Sequence, residues 1–127
     1  MAEIDACMAR ICAARPLNAG ELQALRKALQ VEFTYNSNAI EGNTLSLAET
    51  KLLIEDGVTV GGKTVREMNE ALNHKQMFDL LYEVIEQQNK ITQDLILQLH
   101  GLVLQNIDDA NAGKYRELQV SITGDEE

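Results

Sequence analysis

Apolar residues recur at helical spacing along most of this chain and alternate strictly only near its end. Leu22, Leu25, Leu29, Phe33 and Ile40 fall near the helical period and predict a helix over about 18–42. Asn18 with Glu21 three residues later has the spacing of a capping box at its start, and Gly42 tolerates the backbone that ends a helix. Ser46 with Glu49 repeats the capping pattern and opens a helix from about Leu47 to Asp56, stopped by Gly57. Val58 to Lys63 reads as a loop or a tiny hairpin, since Gly61-Gly62 between β-branched residues favours a turn. Thr64 with Glu67 caps a long helix to about Gln88, with Val65, Met68, Leu72, Phe78, Leu81, Tyr82 and Ile85 as its buried stripe. Ile91-Thr92 opens a last helix to about Asn106, and Ile91 and Ile96 are placed for a hydrophobic staple. Upstream, Pro16, the only proline, sets off a first helix of about Glu3–Ala14. The domain reading is therefore an N-terminal helix over 1–16 and one body over 17–127.

After a polar loop from Asp108 to Gly113 the period changes. Leu118, Val120 and Ile122 alternate with Gln119, Ser121 and Thr123, which predicts a strand. No partner strand follows it in the sequence, so its edge is a place for another strand, or another copy of the chain, to pair. The fold class is mainly α with one short β segment.

Composition narrows the partners. The 127 residues make one domain or less; 45% are hydrophobic but only 4% aromatic, so the core must be aliphatic, which suits helix packing. A net charge of −9 repels phosphate backbones and anionic membrane surfaces, which argues against nucleic acid and membrane as partners. No run approaches the ~18 apolar residues of a membrane span. Cys7 and Cys12 are five apart and have no Cys or His cluster beside them. The start is acidic and has no signal-peptide pattern. The reading is a cytoplasmic protein with reduced cysteines.

The chemistry worth following lies at Ser37-Asn38-Ala39-Ile40-Glu41-Gly42. Ser37 and Glu41 share a helix face, and Gly42 ends the helix at once. A helix C-terminus carries partial negative charge, so a carboxylate there needs solvent or a cation from elsewhere. By position alone Glu41 is a solvated carboxylate or a cap for the Thr44 or Ser46 amides. No internal cation partner is evident for it.

Other candidates read as structural. His74 and His100 lie mid-helix without a second ligand at metal spacing, so packed or hydrogen-bonded histidines are expected and no metal site is assigned. Asp108-Asp109 reads as a solvated turn. Gly61-Gly62 lacks the Lys-Ser/Thr ending of a phosphate loop, and no nucleophile with an adjacent base is visible, so no catalytic residue is assigned. Lys114-Tyr115-Arg116 is a basic-aromatic cluster that either anchors a loop or borders a site.

The stretch around Glu41 resembles the inhibitory-helix motif (S/T)-x-x-x-E-(G/N) of the Fic (Fido) family, with Ser37, Glu41 and Gly42 at its fixed positions. The longer run Asn-Ser-Asn-Ala-Ile-Glu-Gly-Asn-Thr-Leu-Ser-Leu is similar to the family's N-terminal signature. Ile96-x-x-Leu99-His100-x-Leu102 adds a further match. So does Gly113-Lys114-Tyr115-Arg116 followed by Val120-x-Ile122-x-Gly124, which is similar to the start of the family's flap. The resemblance covers roughly residues 20–124. It implies a Fic-like helical bundle fragment, with the inhibitory helix at about 18–42 and the flap segment at about 113–124.

The family's catalytic run H-x-F-x-(D/E)-G-N-G-R-x-x-R is not present. The resemblance therefore implies the N-terminal regulatory and scaffold part of a protein AMP-transferase. Complete members use ATP and Mg²⁺ to modify Ser, Thr or Tyr hydroxyls of a target protein; this chain alone holds neither cofactor and is expected to be inactive. By the same resemblance Glu41 pairs with an arginine of the catalytic motif and takes the space of the γ-phosphate, while Ser37 steadies it. A guanidinium forks a carboxylate or a phosphate, not both. Val120, Ser121 and Ile122 would hold the target by backbone pairing. The implied partners are the catalytic half of a Fic domain and the target protein. Two other readings stand beside this one: a free-standing, antitoxin-like inhibitory partner of a Fic toxin, and a generic helical interaction module.

Overall fold

The computed structural model describes residues 2–14 and 18–117. Its contacts divide the chain into two units, residues 1–30 and 31–127. The first unit holds α1 (Ala2–Ala14) and the start of α2 (Ala19–Ile40). Asn18 and Glu21 cap α2 reciprocally: the Glu21 amide donates to Asn18 Oδ1 at 2.9 Å, and the Asn18 amide donates to Glu21 Oε2 at 3.2 Å. Cys7 and Cys12 are free and exposed on α1.

The second unit continues α2 and adds α3 (Leu47–Asp56), α4 (Val65–Glu86) and α5 (Gln93–Leu104). Local chemistry fixes their ends. Ser46 and Thr64 each accept from the amide three residues on and are answered by Glu49 and Glu67, so both predicted capping boxes are formed. Gly57 takes the left-handed conformation at the end of α3. Thr92 accepts from the Leu95 amide and starts α5. Residues 57–64 form a loop with a turn at Gly61-Gly62 and no hairpin.

The apolar core of this unit gathers Val31, Leu45, Leu53, Ile54 and Ala71, with Val60, Met68 and Leu72 packed against it. α4 packs on both α3 and α5. Asn73 on α4 donates to the carbonyls of Val103 and Gln105, which closes the C-terminal end of α5. Beyond α5, the Gly113 backbone lies against Gly101, 3.7 Å from the position a Cβ at 113 would take.

The buried faces differ from those the periodicity predicts. Val65 is 70% and Ile85 57% exposed, and the buried residues of α4 are Ala71, Asn73 and His74. On α2, Val31 and Thr34 are buried while Leu22, Leu25, Phe33 and Ile40 are exposed. Ile91 and Ile96 are also exposed, so the expected staple does not bury them. The most deeply buried positions are held by small side chains, Ala71, Thr34 and Thr50, and Thr34 is hydrogen-bonded to His74, so close packing falls off the apolar stripe. Among the described residues there are helices and no strand; the strand predicted over 118–123 lies outside them.

Candidate functional site

Glu41 stands at the junction between α2 and the loop to α3. The Gly42 amide donates to the Ala39 carbonyl at 3.1 Å, and the Asn43 amide donates to the Asn38 carbonyl at 3.0 Å. Gly42 has φ +93°. This is the paired closure of a Schellman end, with Glu41 as the last residue before the left-handed glycine. Its side chain is exposed, and among the described residues no side chain or amide binds its carboxylate.

The Thr44 and Ser46 amides, which a capping Glu41 would bind, are both taken by other carboxylates. The Thr44 amide donates to Glu67 Oε1 at 3.0 Å, and the Ser46 amide donates to Glu49 Oε2 at 2.7 Å. Glu41 is therefore not a structural cap. Ser37, one turn back, is half-buried, and the Asn38 side-chain nitrogen beside it is buried without a hydrogen-bond partner among the described residues.

The loop that follows is tightly held. Asn43 is 9% exposed; its Nδ2 donates to the Glu67 carbonyl and to Glu70 Oε2, both at 2.9 Å, and its Oδ1 accepts from the Leu45 amide at 2.9 Å. Glu67 splits its carboxylate between two threonines. Oε1 accepts from the Thr44 amide and hydroxyl, and Oε2 accepts from the Thr64 amide and hydroxyl. These bonds, led by the Thr44 hydroxyl, push its pKa down to about 2. Lys63 Nζ donates to the Thr44 carbonyl and to Thr44 Oγ1, and lies 3.6 Å from Glu49. The Glu49 carboxyl is held below its usual range, first by the Ser46 amide.

The remaining candidates fall into structural places. His74 is buried, with Nδ1 2.9 Å from Thr34 Oγ1 and its ring against Phe78 at 5.1 Å. Burial pushes its pKa down. Asp108 and Asp109 cap their own loop, accepting from Asn111 Nδ2 and the Asn106 amide. His100, Lys114, Tyr115 and Arg116 line a cleft of about 360 Å³ beside α5. Val120, Ser121 and Ile122 lie outside the described residues. Among the described residues no cluster of His, Cys, Asp or Glu is placed to hold a metal, and no helix is long and apolar enough to cross a membrane. The Asn43–Glu67 link has no signal in the sequence, because its partners are 24 residues apart and Glu67 also serves as the N-terminal cap of α4.

No protein-family model matches the chain. The chain is 33% identical over 124 residues, 98% of its length, to the protein adenylyltransferase Fic of Drosophila willistoni. It is 36% identical over 104 residues, 78% of its length, to the protein adenylyltransferase fic-1 of Caenorhabditis elegans. It spans a quarter or less of these relatives, 25% and 20% of their lengths. Among solved structures, C. elegans Fic-1 superposes with a TM-score of 0.73 at 30% identity, covering 92% of this chain and 38% of that one. A glutamate-to-glycine variant of the same protein gives 0.71.

Proposed function

We propose that this chain, which belongs to the Fic family, is the regulatory and scaffold part of a Fic-type protein adenylyltransferase, with Glu41 as its inhibitory residue. The observation that carries the reading is the state of Glu41. Its backbone is fixed by the helix end on one side and the Asn43 loop on the other, while its carboxylate faces outward without a partner among the described residues. A fixed anion at a helix C-terminus, with no internal bond to break, gains a charge-assisted bond when an external guanidinium arrives. Such a guanidinium, once paired with Glu41, is no longer free for a nucleotide phosphate. Inhibition then follows from competition for one cation, with Ser37 on the same helix face one turn back.

This reading places ATP and Mg²⁺ outside the chain. The loop amides at Thr44, Ser46 and Thr64 are all bound by carboxylates, and no acidic cluster among the described residues is open to a cation. Nucleotide binding and AMP transfer are assigned to a catalytic half, and the target protein to the flap residues Val120, Ser121 and Ile122. The purified chain, incubated with labelled ATP, Mg²⁺ and candidate acceptor proteins, should transfer no AMP; any transfer would contradict this division.

A further inference from the structure

We infer that Asn43, with Glu67 behind it, is the positioning residue for Glu41; the inference rests on the inhibitory role of Glu41 just proposed. The Glu41 side chain makes no hydrogen bond or ion pair among the described residues, so its place is set by its backbone. Upstream, α2 fixes it through the Asn38 and Ala39 carbonyls. Downstream lies Gly42, which has open space around it and no side chain to hold the chain. Asn43 is the first residue after Glu41 whose side chain grips another element, and it is held three ways at once. Its amide closes α2, its Nδ2 reaches the Glu67 carbonyl and Glu70 on α4, and its Oδ1 folds the loop back through the Leu45 amide.

Glu67 locks the next residue. Thr44 gives it both an amide and a hydroxyl bond, while the other oxygen of the same carboxylate stays in the Thr64 cap. A carboxylate shared in this way ties the loop after Glu41 to the rigid first turn of α4. Only a side chain that both donates and accepts can fill the Asn43 place: alanine loses every side-chain bond, and aspartate puts a second anion against Glu70.

The test is epistasis in the Fic enzyme that contains this segment, read as ATP-dependent self-labelling. Asn43→Ala should raise labelling several-fold, up to roughly tenfold, the scale of losing an ordinary intramolecular hydrogen bond. Glu67→Gln, which leaves one uncharged oxygen for the two threonines and keeps the Asn43 side chain in place, should move labelling the same way by less. Glu41→Gly/Asn43→Ala should label no more than Glu41→Gly alone, since both changes act through one carboxylate. Added activation in the double variant would contradict the inference. So would wild-type labelling in both Asn43→Ala and Glu67→Gln when Glu41→Gly is active, with the inhibitory role left standing. Labelling unchanged in Glu41→Gly would overturn the inhibitory role and the inference together. Poor folding of one variant leaves the other to decide, because their side-chain bonds are separate.

Discussion

Thr34 Oγ1 and His74 Nδ1 meet at 2.9 Å, joining the part of α2 that leads to Glu41 to the middle of α4. Thr34 is 0% exposed and His74 9%, so the bond satisfies polar atoms that solvent reaches little. Thr34→Val keeps the shape and removes the partner. It should cost about 1–3 kcal/mol, the penalty of leaving a buried ring nitrogen unpaired. Urea unfolding of the chain measures this, and an unchanged midpoint would show that the bond contributes nothing net.

His74 also gives the unit a pH dependence of known sign. Burial holds its folded pKa below the ordinary 6.5, so the unfolded chain binds the proton more readily. Its contribution is complete above pH 6.5 and is lost as pH falls below that value through the folded pKa. Urea midpoints should therefore drop as the pH falls below the ordinary 6.5 in the wild type and drop less in His74→Gln. Equal drops in both would mean that other groups set the dependence.

Two glycines that touch should respond oppositely. Gly113 has φ +69°, and a Cβ there would lie 3.3 Å from the Leu97 carbonyl oxygen. Gly113→Ala should destabilise by about 1–2 kcal/mol, the cost of a left-handed L-residue. Gly101 is inside α5, and a Cβ there would meet Gly113 at an ordinary 3.6 Å. Gly101→Ala should be neutral or stabilise by up to about 1 kcal/mol through helix propensity. Thermal melts of the two variants check the contrast, and destabilisation by both would point to a tighter seam than these distances give.

Helix ends were legible in the sequence because capping is local. The pairs Asn18–Glu21, Ser46–Glu49 and Thr64–Glu67 each sit three residues apart, and all close as the spacing predicts. The buried faces were less legible, because an apolar period marks a stripe without saying which part of it meets a neighbour. Val65 and Ile85 fit the stripe of α4 yet stay exposed, while Ala71 and His74, which carry little hydropathy, fill the contact. At the site, the motif pointed to Glu41, and the capping alternative fell once Glu67 and Glu49 were found on the Thr44 and Ser46 amides. Asn43 could not be singled out from sequence, since an asparagine after a glycine reads as a turn until its partners on α4 are known.

The central claim is that Glu41 restrains nucleotide transfer. It is tested most directly by ATP-dependent self-labelling of the Fic enzyme containing this segment, wild type against Glu41→Gly. Freeing a guanidinium from a carboxylate should raise labelling roughly tenfold or more at equal protein and ATP. Labelling that stays at the wild-type level in a folded Glu41→Gly enzyme would contradict the inhibitory role.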